Sequence, residues 1–389
     1  MAWEILIASG GIGPYSGFRN LPSHLVAVLL LFTALALYFQ RPKVKADSST
    51  AAMIYIVLWT SINSIMFDIS NVASNEGTGF ALDNKVYTAA MYLAVSALSF
   101  RHFREKLLKA LTYLSAATLI VWVLHLGLGI GSFAVRPAPT LGIFMDWGGR
   151  MASIYWEPGQ YQIIIIFTLT LFFDELRNIR LSNIMRYVKK FGIIILALVV
   201  CQSSMGYLSL MALVALSFMF NKAGKKNKIL YIVMLVIAAV CVLFIFNSDV
   251  VQKKIDPSNL SRRSSFYVRL WDNIALWNMS MVSPMTGLGT TSEEYRKYSR
   301  IYHNTTASNG WLAAAARWSW PFLIIIILCI LKNLKRMKLG VPALFAFIPM
   351  FMSQSNEHWL LFPIVYIYVF RFRDYAEQNE KSRALGGKH

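Results

Sequence analysis

Charge is what this sequence has least of. Asp, Glu, Lys and Arg make up 15% of its 389 residues, where a soluble domain carries about a quarter. Acid is scarcer still, with 19 Asp and Glu against 38 Lys and Arg. Cysteine is nearly absent, and Cys201, Cys241 and Cys329 each fall inside an apolar run, which reads as packing rather than as a disulfide framework. Neither CxxC nor HxxxH spacing occurs, so no metal site is signalled. No Pro/Ser-rich linker, low-complexity stretch or internal repeat divides the chain. The first residues lack a basic segment and an A-x-A-like cleavage site, so no cleaved signal peptide is expected.

Hydrocarbon fills the space that charge leaves. Hydrophobic residues reach 56% and the mean hydropathy is +0.50. Apolar runs fall at about 22–40, 50–67, 85–100, 108–130, 159–173, 191–203, 206–220, 229–247, 311–331, 341–354 and 358–370. That pattern predicts an all-α polytopic membrane bundle of about eleven spans, forming one integral membrane domain over 1–389. A net charge of +19 would point to nucleic acid in a soluble protein; here membrane topology explains it, and no nucleic-acid partner is expected.

The cations set the orientation. RPKVK (41–45), RHFREKLLK (101–109), the stretch 174–190, NKAGKKNK (221–228), KNLKRMKLG (332–340) and the tail from Arg371 all fall on one side when the spans are counted through. They hold 25 of the 38 Lys and Arg, which makes that side cytoplasmic, with the N-terminus outside and the C-terminus inside. The expected location is a bacterial inner membrane. Two long loops then lie outside, at about 131–158 and 248–310. Nine of the 13 outer cations belong to or just follow the second loop: Lys253, Lys254, Arg262, Arg263, Arg269, Arg296, Lys297, Arg300 and Arg317. Outer loops ordinarily avoid them, although a long loop also translocates regardless of charge.

Three stretches concentrate polar chemistry on that outer side. In GGRMASIYWEPGQYQIIIIF (148–167), Pro158 suits the first position of an inward-running helix, and Glu157 its cap. Arg150 stands just upstream. The pair is placed to meet a polar or anionic substrate at a helix N-terminus, or simply to cap the helix and pair with each other. In SRRSSFYVRLWDNIALWNMSMVSPMTGLGT (261–290), helical spacing from Tyr267 to Trp277 puts Arg269 on an amphipathic helix, followed by a turn rich in flexible backbone. Arg263 and Arg269 offer planar donors for phosphate, or are solvated surface cations. In YHNTTASNGWLAAAARWSWPF (302–322), His303 and Asn304 stand just before the ninth span, again at a helix N-terminus. A histidine there can take a proton from a hydroxyl, or be an exposed loop residue. Arg317 falls in the first turns of that span, where an arginine faces a polar interior or snorkels. Trp311, Trp318 and Trp320 fit an interfacial aromatic belt.

Taken in order, RMASIYWEPGQY (150–161), RLWDNIALWNMSMVSPMTGLG (269–289) and HNTTASNGWLAAAARW (303–318) resemble the O-antigen polymerase and O-antigen ligase superfamily of bacterial glycan assembly. CQSSMGYLSLMAL (201–213) is similar to that family's Ser-rich hairpin between spans. The resemblance implies a GT-C-type membrane glycosyltransferase that acts on undecaprenyl-pyrophosphate-linked glycan at the outer face. It implies no metal ion and no other cofactor. Arg150, Arg263 and Arg269 would bind pyrophosphate or orient glycan, with Asn304 and Arg317 as further substrate contacts. His303, and second Glu157, would activate the acceptor hydroxyl. A chain-length regulator protein is a candidate partner beside the bilayer and the lipid-linked glycan. The YWEPGQY segment looks more like polymerases than ligases, which move the glycan onto lipid A core. From other classes, a lipid-linked glycan flippase or a membrane scaffold subunit would fit the hydropathy alone.

Overall fold

In the computed structural model the described residues are 48–72, 100–128, 144–145, 151–153, 158–219, 265–289, 292–304 and 309–336, with single positions within 32–36 and 232–243. The runs expected at 22–40, 85–100, 229–247, 341–354 and 358–370 lie wholly or almost wholly outside them. Among the described residues the chain is all-α apart from one short antiparallel strand pair. One segment there, Phe103–Leu124, is long and apolar enough to cross a membrane; Ile54–Asn63, Tyr161–Leu171, Met205–Ser217 and Trp320–Cys329 are shorter apolar stretches. The chain divides into two compact units. One comprises Met1–Leu21, Phe103–Ser264 and Pro342–Ser353, the other Pro22–His102, Ser265–Val341 and Gln354–His389.

The second unit opens with α1 (Ser48–Val72). In the first unit, α2 (Phe100–Leu128, almost all of it in this unit) is followed by β1 (Phe144–Met145) and β2 (Met151–Ser153). Then come α3 (Pro158–Leu171), the short α4 (Phe173–Leu176), α5 (Ile184–Val200) and α6 (Ser204–Met219). Helix α3 starts at Pro158 as expected, because proline's fixed φ and missing N–H suit the first helical position. Every residue from Tyr161 to Phe172 is buried. A helix apolar on all sides has nowhere to go but the centre, and that packing overrides the low helix propensity of its four consecutive isoleucines.

Two polar devices tie α3 to its neighbours. At its start, the Tyr161 hydroxyl donates to Ser115 Oγ on α2 (2.7 Å), while Thr118 Oγ1 and Ser153 Oγ lie 2.8 Å apart. At its end, Arg104 of α2 pairs with Asp174 (2.8 Å) and Glu175 (3.2 Å) and donates to the Leu171 carbonyl. Lys190 of α5 bridges Glu175 and Glu105 (2.9 and 3.1 Å). Both cations lie over the Phe172 ring, at 4.8 and 4.4 Å from its centre. Helices α5 and α6 form the expected hairpin, turning at Cys201–Ser203 with Gln202 at φ 46. Gly206 has no side chain because a Cβ there would overlap Gln162 Oε1 of α3. Cys201 is buried and Cys329 half-buried, and neither is in a disulfide; Cys241 lies outside the described residues.

In the second unit, α1 is joined by α7 (Ser265–Val282), α8 (Glu293–Ile301), α9 (Gly310–Trp318) and α10 (Trp320–Arg336). One expectation is corrected here. The apolar run 311–331 is not one continuous helix: it breaks at Ser319, which has φ 106 and ψ 160. Pro321 is the physical reason, since it lacks an N–H and its ring clashes with the carbonyl four residues back. The stretch 248–310 holds α7, the helix expected around Arg269, and α8. Helix α7 points Leu270, Trp271, Ile274, Trp277 and Met281 outward, each 44–48% exposed. Similar apolar stripes run along α1 (Ile54, Leu58, Ile62, Met66) and α10 (Ile324, Ile325, Leu328, Leu331).

Candidate functional site

The break in the ninth run organises the second unit. A helix interrupted at Ser319 leaves carbonyls of α9 without intrahelical donors. The PMTGLG turn supplies them: Leu288 N–H donates to Ala316 O and Gly289 N–H to Arg317 O, both at 2.9 Å, and Trp320 N–H donates back to Pro284 O at 2.9 Å. Gly287 has φ +73, and a Cβ there would strike the Arg317 carbonyl. Only glycine gives the left-handed backbone and the close approach together. Helix α1 closes the same junction. Trp59 Nε1 donates to the Trp318 carbonyl (2.6 Å), and Asn63 Nδ2 to the Thr286 carbonyl (2.8 Å).

Arg317 therefore lies in the last turn of the short α9, not in the first turns of a long span. It is 7% exposed, and its guanidinium sits 4.9 Å from the centre of the Tyr295 ring of α8. The negative end of the α9 dipole and an aromatic face both favour a cation there. Trp318 is 8% exposed and belongs to the interior rather than to an interfacial belt.

His303 and Asn304 are also corrected. They end α8 instead of starting the next helix. Tyr302 caps α8; His303 N–H donates to Arg300 O (3.2 Å) and Asn304 N–H to Ser299 O (2.8 Å). That pair of bonds is the Schellman stop. His303 occupies its left-handed position at φ 55 with an exposed side chain. The cap of α9 is Asn309, whose Oδ1 accepts from Trp311 and Leu312 N–H. Asn304 is drawn inward, with Nδ2 3.7 Å from Met279 Sδ on α7.

Arg269 is on α7 as expected and is half-buried. It stands ten residues from Met279, on the order of 15 Å along the helix. Arg269 and Asn304 thus occupy separate stations on one helix. Arg317, Asn304 and His303 gather around the other end, where Leu276, Met279, Leu288, Ala313 and Ala316 form a core with Tyr295, Tyr298 and Tyr302. Arg150, Glu157 and Arg263 lie outside the described residues. Of the motif around the first two, the described Ser153 and Tyr161 are buried in the hydroxyl cluster at the head of α3.

Several residues of consequence were not singled out from sequence. Asp272 is 1% exposed yet reads in sequence as a solvated acid on an amphipathic helix. Tyr295, Tyr298 and the capping Tyr302 recur at i, i+3 and i+7 along α8, which marks its half-buried face. No family model, curated protein or solved structure was found to match the chain.

Proposed function

We propose that the chain is an integral membrane glycosyltransferase of GT-C type, with about eleven spans, that polymerises undecaprenyl-pyrophosphate-linked repeat units on the outer face without a metal ion. One observation carries the reading. Two of the segments on which the resemblance rests, RLW…PMTGLG and HNTTASNGWLAAAARW, fold onto each other within one unit through the bonds from Leu288 and Gly289 to Ala316 and Arg317. That contact supports reading these two segments together. The exposed apolar stripes on α1, α7 and α10 support a bilayer as the surrounding solvent, since a water-soluble monomer rarely exposes such area.

The chemistry follows from charge. Departure of pyrophosphate from an anomeric carbon builds negative charge, and guanidinium groups can stabilise it in place of a metal. Arg269 would supply such a contact, worth about 1.5–3 kcal/mol; Arg150 and Arg263 are further candidates implied by the resemblance. His303, exposed at the end of α8, would take the proton of an incoming acceptor hydroxyl, with Glu157 as the second choice. The test is the glycan length profile of cells carrying Arg269→Ala at matched expression. Collapse to single repeat units supports the polymerase, total loss of transfer points to a ligase, and an unchanged ladder refutes both.

A flippase is the second reading, favoured by the broken α9–α10 pair, because discontinuous helices recur in transporters. Purified protein given lipid-linked repeat units separates the two. Longer glycan made without ATP or added metal is expected of the enzyme alone.

A further inference from the structure

We infer that the corner formed by α2, α4 and the start of α5 holds the headgroup of an anionic phospholipid, with an acyl chain laid along α5. The inference goes beyond the glycan reading and rests only on its bilayer part. Ion pairs fix the corner: Arg104 of α2 bonds Asp174 and Glu175, and Lys190 of α5 bonds Glu175 and Glu105. Those are the only acids of the three helices, and all are thereby committed. The other cations there, Lys106, Lys109, Arg177, Arg180, Arg186 and Lys189, make no ion pair among the described residues. Arg180, Arg186 and Lys189 are exposed.

Helix α5 carries the rest of the complement. Lys189, Ile193 and Leu196 follow at i, i+4 and i+7, and Arg186 stands one turn before Lys189, so cations and hydrocarbon share one face. Ile193, Leu196 and Val199 are exposed, as are Met185 and Val188 beside the cations. The face is therefore apolar along the helix and positive at its start, which matches a lipid whose tail is hydrocarbon and whose head is negative. Arg186 offers planar donors to phosphate oxygens and Lys189 a point charge. A zwitterionic headgroup brings its own cation to the same place and is disfavoured. The corner belongs to the side counted as cytoplasmic, where anionic lipid gathers. The competing account is a diffuse surface potential, which any cation of the chain would support equally and which has no use for the apolar stripe.

The experiment titrates the full chain in neutral detergent with phosphatidylglycerol and, separately, phosphatidylcholine, counting bound lipid by native mass spectrometry. The parent is expected to prefer its first phosphatidylglycerol about thirtyfold, the scale of two cations beside an anionic headgroup. Arg186→Gln with Lys189→Gln is expected to lose that preference. Arg296→Gln with Lys297→Gln, which removes as much charge from the exposed side of α8, is expected to keep it. Glycerol phosphate, the same headgroup without hydrocarbon, is expected not to displace the lipid at equal concentration. A parent without preference, an equal loss in the α8 variant, or displacement by glycerol phosphate overturns the inference while leaving the bilayer reading intact. A parent that stays folded in water without detergent and takes up neither lipid overturns the bilayer reading and this inference with it. Should the Arg186, Lys189 variant not fold, Lys189→Gln alone decides: an about fivefold loss of preference supports the site, and an unchanged preference overturns it.

Discussion

At the scale of the residue, the backbone stop at His303 can be separated experimentally from the proposed role of its imidazole. Its backbone closes α8 in the left-handed region, at φ 55, where an L side chain costs about 1–2 kcal/mol and glycine costs little. His303→Gly should therefore raise stability by about 0.5–1 kcal/mol in thermal unfolding of the purified chain. If the imidazole activates the acceptor hydroxyl, the same variant loses polymerisation. Stability and activity then move in opposite directions, which a purely structural histidine would not produce; a more stable and fully active His303→Gly would reduce the residue to a helix stop. Tyr161 makes the opposite case. Its hydroxyl is buried against Ser115 beside Thr118 and Ser153, and Tyr161→Phe deprives that cluster of a donor. A loss of about 1–2 kcal/mol is expected, read as a lower unfolding temperature in the same assay, with the anion affinity of the chain unchanged.

At the scale of the element, the junction of α9 and α10 holds a strained residue in place. Ser319 adopts a conformation that belongs almost to glycine alone, at a cost of about 1–3 kcal/mol, yet it is wholly buried. What holds it is the PMTGLG turn, bonded to the carbonyls the break releases, and α1, bonded through Trp59 and Asn63. Gly287→Ala attacks both supports at once, by imposing a left-handed alanine and driving its Cβ into the Arg317 carbonyl. It should destabilise the chain by about 2–5 kcal/mol, seen as lost yield of folded protein in detergent. The sequence carried part of this architecture openly. Pro158 announced the start of α3, because local backbone chemistry and hydropathy agree there; the α5–α6 hairpin was legible from the adjoining apolar runs 191–203 and 206–220 and from the resemblance of CQSSMGYLSLMAL. The break was legible only as a conflict: WSWPF contains a proline that ends helices, set inside a run whose hydropathy is continuous. Hydropathy measures the solvent around a segment and is blind to the backbone within it. The same blindness hid Asp272, because burial of an acid depends on which face of α7 meets α9. Spacing placed His303 at the start of the ninth span, whereas its backbone bonds end the helix before it.

At the scale of the whole molecule, the proposed chemistry depends on which side of a bilayer each loop would occupy. In the proposed topology 25 of the 38 Lys and Arg fall on one side, and the ion-pair network of Arg104, Glu105, Asp174, Glu175 and Lys190 belongs to segments counted on that side. Arg296, Lys297 and Arg300, exposed on α8, belong to segments counted on the other. A donor carried on an outer-leaflet lipid can be gripped only by arginines on its own side, since moving a charged headgroup through hydrocarbon is costly. The orientation therefore yields a direct prediction. In a chain whose Cys201, Cys241 and Cys329 are replaced by serine, a single cysteine at Arg300→Cys should react with a membrane-impermeant maleimide in intact spheroplasts. One at Lys189→Cys, also exposed on its helix, should react only after the membrane is opened. The reversed pattern would put α8 and the motif around His303 in the cytosol, where no outer-face acceptor reaches them, and the polymerase reading would fall with the topology. Labelling of both sites in sealed cells would contradict the count of spans that separates them, and with it the eleven-span architecture.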